Sequence, residues 1–304
     1  TGTYTLMMLC GAELGRDAAI KKHEMISKYR VLPKQFGDYY GKRVFEVEQV
    51  CVGTSTMSYE SYLNCRNFSF ILQLLSASIF SPIYKLTEKL GISWHEVVKK
   101  TAELIKDKNF HGKLKDLYIE FCTEAENELF ESREEAIEFY TKEENYQSLL
   151  KGDIGENLLG KYGAKGFFVH KDVVATLFKV IKSNFNSNYD KDFVKILNSS
   201  EKWLNNLYMF DEIMSHDDNV KNDIYEIELD FDFPGWLLET DQPIENFKKH
   251  TIYKTDLNQK KINYLKNEIR SIYTDDKLRA LGRYFRQHMQ RGQAVFERQY
   301  QKIQ

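Results

Sequence analysis

The sequence predicts a mainly helical protein with a small α/β portion at its start and a short β-hairpin late in the chain. Three observations predict it. Only four prolines occur in 304 residues, where average usage of about 5% would give roughly fifteen, so few positions break a helix. Apolar residues recur at helical spacing from residue 58 onward, twice behind a Ser-x-x-Glu opening. The first fifty residues, and again residues 225–233, carry strand patterns instead. A 304-residue chain is longer than the roughly 250 residues at which one core usually stops growing, so one large or two modest domains fit. The 42% hydrophobic content excludes a disordered chain.

Residues 4–10 read as a buried strand, followed by a turn over 11–15 and a helical pattern over 16–26. Residues 29–33 form a short strand that Pro33 stops. Residues 44–52 alternate as a half-buried strand does. The α/β portion therefore spans residues 1–57 and the helical domain 58–304. The first helix runs from Ser58 to Leu75 and carries Arg66, placed to pair with Glu46 or Glu48. Ser81-Pro82 opens a second, since a cap followed by proline suits a helix start, and Gly91 closes it. Ser93-Trp94-His95-Glu96 and Ser132-Arg133-Glu134-Glu135 are capping boxes, with another helix over 114–130 between their helices. Helices are expected over 137–150, 156–182, 190–198 and 201–209. Tyr225, Ile227, Leu229, Phe231 and Phe233 alternate with Glu226, Glu228, Asp230 and Asp232, the plainest strand in the chain. Residues 250–254 are its antiparallel partner, giving a two-stranded sheet at about 223–254. Helices over 257–273 and 276–303 complete the chain.

Charge is balanced overall, 43 Lys+Arg against 45 Asp+Glu, which gives no reason to expect a nucleic-acid footprint. Locally it is not. Residues 120–144 carry ten glutamates against Arg133 and Lys142, and residues 277–302 carry seven basic side chains against Glu297. Two solvated helix faces that balance each other are the plain interpretation; a partner-binding patch is the sharper one. No run of about 20 apolar residues is present, so no membrane helix is expected.

Cys10, Cys51, Cys65 and Cys122 are separated by 41, 14 and 57 positions, without the close spacing of a zinc or cluster site. With no secretory signal they read as reduced thiols of a cytoplasmic protein, with Cys65 and Cys122 buried in helices and no metal site expected. His216-Asp217 resembles the paired metal ligands of HD-type phosphohydrolases, with His170 the nearest further histidine. The acidic strand 226–232 is read as a solvated outer face rather than a chelator. No phosphate loop, nucleophile elbow or zinc-protease helix occurs.

Several strings resemble radical SAM enzymes that carry an N-terminal cobalamin-binding domain. Met7-Met8-Leu9-Cys10-Gly11-Ala12-Glu13-Leu14 is similar to the end of a late barrel strand in that family. Lys28-Tyr29-Arg30-Val31-Leu32-Pro33, followed by Phe36-Gly37, is similar to the next element. The longest similar stretch is Glu46-Val47-Glu48-Gln49-Val50-Cys51-Val52-Gly53-Thr54-Ser55-Thr56-Met57-Ser58-Tyr59-Glu60-Ser61-Tyr62. Gly155-Glu156-Asn157-Leu158-Leu159-Gly160-Lys161-Tyr162 and Asp232-Phe233-Pro234-Gly235-Trp236-Leu237 resemble points in the family's C-terminal extension.

The resemblance implies the end of a radical-SAM-type (β/α) barrel followed by a large helical C-terminal domain. It also implies a [4Fe-4S] cluster, S-adenosylmethionine and cobalamin as cofactors, with radical methyl transfer or related chemistry on a small-molecule or biosynthetic substrate. The family's cluster cysteines, spaced three and then two residues apart, have no counterpart here. The sequence opens in a strand pattern without an initiator Met, so residue 1 is expected to be a cut end. The remaining barrel and the cobalamin domain would then precede it, and the chain alone would be inactive. Residues at the C-terminal ends of barrel strands face the active site, which makes Cys10, Glu13 and Arg30 the candidate mouth residues. Two other function classes stand beside this one: a helical module that docks a protein or RNA, and a metal phosphohydrolase using His216 and Asp217.

Overall fold

The computed structural model describes residues 5–9, 11–184, 191–214, 225–256, 259–272, 282, 284 and 296–304. In chain order its elements begin with β1 (Leu6–Met7), α1 (Asp17–His23), β2 (Ile26–Tyr39), β3 (Lys42–Gly53), α2 (Tyr59–Leu75), α3 (Ser81–Lys89) and α4 (Trp94–Lys106). They continue with α5 (Lys113–Asn127), α6 (Arg133–Thr141), α7 (Glu143–Lys151), α8 (Leu158–Phe168), α9 (His170–Asn184), α10 (Lys191–Leu207) and α11 (Phe210–Met214). Last come β4 (Tyr225–Leu229), α12 (Phe233–Leu238), β5 (Thr251–Asp256), α13 (Gln259–Ile272) and β6 (Gln299–Lys302). The protein is mainly helical with two three-stranded antiparallel sheets among the described residues. No single described helix is long and apolar enough to cross a membrane.

The chain divides into two compact units. The first contains the described residues up to Leu74, those from Asp116 to Gly163, and Gly282. The second contains those from Leu75 to Lys115, from Ala164 to Ile272, Tyr284 and residues 296–304.

In the first unit the sheet order is β1-β3-β2. The opening strand is only two residues long, exposed, and antiparallel to β3 through Leu6↔Cys51 and Met7↔Val50. Strand β2 runs past Pro33 to Tyr39, where the sequence led us to expect it to stop. Its register with β3 shifts between Val31 and Phe36, so the proline sits where no ladder bond asks for its missing N–H. The two faces of the hairpin follow the two-residue period. Val31 and Phe45 pack on Phe130, Ala136 and Tyr140 of the α6 side and on Tyr146 and Leu149 of α7. Val50 and Val52 pack on Tyr62 and Leu129. Farther along α2, Phe70 stacks on Phe121 at 4.5 Å, and Tyr162 meets Phe121 edge-on at 5.3 Å.

Local signals account for most helix boundaries here. The Ser132 hydroxyl accepts from the Glu135 amide at 3.1 Å, the cap bond of a capping box, and the Glu135 carboxylate accepts at 2.9 Å from the amide of Glu131, the residue before the cap. Gly152 ends α7 in the left-handed region, as a glycine at a helix end does. Gly155 also has φ +69°, and a Cβ there would lie 2.3 Å from Leu149 Cδ1 and 3.0 Å from Val31 Cγ1. The variant Gly155→Ala combines a left-handed residue with overpacking, and is expected to lose about 2 kcal/mol of stability or more. An unchanged urea midpoint would contradict that packing.

In the second unit α9 packs against α4 and α10, and α10 in turn against α12 and β4. Helix α10 is continuous, where the sequence predicts two shorter helices broken near Ser199-Ser200. The Ser200 hydroxyl bonds back to the Ile196 carbonyl at 2.7 Å, and Ser199 Oγ accepts from the Asp230 and Phe231 amides at 3.1 Å. Both serines are thus used without ending the helix. Strands β4 and β5 pair antiparallel, Tyr225↔Thr255 to Leu229↔Thr251, as the sequence predicts. A third strand, β6, adds to β5 through Tyr253↔Lys302 to Asp256↔Gln299. Residues 299–302 are therefore strand, not the end of the helix expected over 276–303.

Candidate functional site

The charged cluster around Arg30 is the most developed polar site in the first unit. Arg30 lies opposite Glu48 in the β2–β3 register. Its Nε donates to Glu48 Oε1 at 2.6 Å and its Nη1 to Glu128 Oε1 at 2.9 Å. Glu128 reaches it because the chain just after α5 is tied to β2: the Tyr29 and Phe130 amides and carbonyls bond each other at 2.9 and 2.8 Å. On the other side Arg66 of α2 pairs with the same Glu128 oxygen and also donates to the Ala125 carbonyl at 2.9 Å. Arg66 therefore pairs with Glu128, not with Glu46 or Glu48 as its position in the sequence led us to expect.

Both carboxylates are 7% exposed. Burial opposes the charge on Arg30, but Glu128 and Glu48 outweigh it and hold the guanidinium's pKa above its ordinary value. Burial, helped by Glu128 and Glu124, likewise pushes the Tyr140 hydroxyl up. Two arginines and two glutamates cancel, so the cluster is a neutral ion-pair network. Such networks are held by mutual satisfaction of their members. One acceptor is left over: Glu48 Oε2 is buried without a hydrogen-bond partner. Arg30 is 21% exposed, and its Nη2 has no bond among the described residues. The cluster therefore presents one donor group outward, and holds one buried acceptor, Glu48 Oε2, without a partner.

Four of the ten glutamates of the acidic segment 120–144, Glu124, Glu128, Glu131 and Glu143, pair with cations of the same unit. Glu131 pairs with Lys28 and Glu143 with Arg43. Glu124 takes Lys161 on both oxygens at 2.8 Å and the Tyr162 hydroxyl at 2.7 Å. Arg43 also covers the Tyr146 ring at 4.2 Å and donates to the Thr141 carbonyl. The counter-charges thus come from the hairpin, α2 and α8. Most of the basic segment 277–302 lies outside the described residues.

The other candidates fall elsewhere. Cys10 lies outside the described residues, as do His216 and Asp217. Glu13 is exposed in a short 3-10 turn, Glu13–Gly15. Among the described cysteines, Cys51, not Cys65 or Cys122, is the buried thiol, because β3 is covered on that stretch while Cys65 occupies an outer position of α2. Its Sγ donates to the Gly53 carbonyl at 3.2 Å.

In the second unit His170 is fully buried. Its Nδ1 lies 2.8 Å from the Phe167 carbonyl, its Nε2 has no partner, and its ring meets Phe210 and Tyr208 edge-on. Burial lowers its pKa, against the opposing pull of the Phe167 carbonyl. The unfolded chain then binds the proton more readily, so stability should fall as pH drops below about 6.5. Comparing urea unfolding at pH 7.5 and 5.5 is expected to show a loss that His170→Phe removes. An equal pH dependence in the two proteins would contradict a neutral buried imidazole.

The acidic strand ends in a site the sequence missed. Glu226, Glu228 and Asp230 are exposed, but Asp232 is buried. Its Oδ1 accepts from the Tyr253 hydroxyl at 2.6 Å and the Gly235 amide at 3.1 Å, and its Oδ2 from Lys302 Nζ at 2.6 Å. Burial alone would raise its pKa; Lys302 and Tyr253 reverse that and hold the carboxyl below its usual range. Only the proline two residues on, ending the strand early, hinted that Asp232 leaves the outer face. Among the described residues no group of three or more His, Cys, Asp or Glu side chains is placed to hold a metal ion. Compared with protein-family models and with curated proteins, the chain matches none.

Proposed function

We propose that the chain is the C-terminal portion of a radical SAM, cobalamin-dependent enzyme that carries out radical methyl transfer or related chemistry. The observation that carries this reading is where the similar strings fall. The strings at 28–33 and 46–62 form one continuous body, the β2–β3 hairpin and the first turn of α2. Four of the five strings also contain a residue with a specific structural contact: Arg30 and Glu48 in the ion-pair network, Gly155 against Leu149, Asp232 and Gly235 at the start of α12. Residues 1–57 are expected to be the tail of a parallel barrel, but β1, β3 and β2 pair antiparallel; on this reading the parallel barrel itself is supplied by other sequence.

A four-iron cluster does not fit the cysteines of this chain. Cys51 is buried in β3, Cys65 is exposed on α2 and Cys122 is half-buried on α5, and no two lie within ten positions of each other in the sequence. A four-iron cluster needs closely grouped thiolates. On this reading the cluster, S-adenosylmethionine and cobalamin are held by sequence outside these 304 residues, and the chain supplies a supporting domain. The gene decides the point: the reading frame upstream of Thr1 should encode three cysteines spaced three and then two residues apart. A start codon immediately before Thr1, or an upstream frame without those cysteines, would overturn the proposal.

A further inference from the structure

We draw no further inference here: the strongest candidate, the exposed apolar residues Leu6, Met7, Leu9 and Leu14 at the β1 edge of the first sheet, is an unpartnered sheet edge, and nothing in the structure shows what covers it.

Discussion

The variant Glu128→Gln is expected to lose about 3–5 kcal/mol of unfolding free energy, the usual cost of breaking a buried ion pair by removing one partner. The loss arises because one carboxylate serves two guanidinium groups, Arg30 and Arg66. Neutralising it leaves two part-buried cations with only Glu48 between them. Urea denaturation followed by circular dichroism measures the effect directly. Replacing all four members by apolar residues of similar size (Arg30→Met, Glu48→Leu, Arg66→Met and Glu128→Leu together) should recover most of the loss, because buried networks are often matched by hydrophobic packing. A Glu128→Gln loss below about 1 kcal/mol would place the network among surface ion pairs of little weight.

Trp203→Ala should destabilise the second unit by about 3–5 kcal/mol, the range for deleting a large buried aromatic. Trp203 is 1% exposed. It meets Tyr253 of β5 at 5.2 Å and Tyr300 of β6 at 4.6 Å, ring centre to ring centre. The indole therefore joins α10 to both strands, and its loss also removes the surface on which β6 lies. Thermal unfolding should show a lower midpoint for the transition that Trp236 reports. An unchanged midpoint would contradict that role for the indole.

The parts of the fold legible in the sequence are those decided by near neighbours. Ser93 and Ser132 start helices because their hydroxyls reach an amide three residues on, and Pro82 and Gly91 bracket α3 for equally local reasons. The β4–β5 pair is legible because alternation over 225–233 is long and regular. The parts misread depend on distant partners. Gln299–Lys302 is a strand only because β5 offers it an edge, a fact absent from its own composition. Pro33 reads as a stop unless the irregular register opposite it is known. The polar site divides in the same way. Arg30 was singled out and Glu48 is its cross-strand partner, but Glu128 is 98 positions from Arg30. In the sequence it is one of ten glutamates in an acidic run, and nothing nearby marks it as the one that turns inward. The partners of Glu124, Glu128, Glu131 and Glu143 are equally remote in sequence, on the hairpin, α2 and α8.

On the reading proposed above, these residues complete a radical SAM enzyme. The most direct measurement uses the protein encoded by the full reading frame, purified without oxygen, and follows consumption of S-adenosylmethionine under reducing conditions with iron and cobalamin content measured alongside. The expected result is turnover that requires the cluster, in a protein holding about four irons and one cobalamin per chain, and none from the 304-residue chain alone. A full-length protein that binds neither iron nor cobalamin and leaves S-adenosylmethionine intact would overturn that reading.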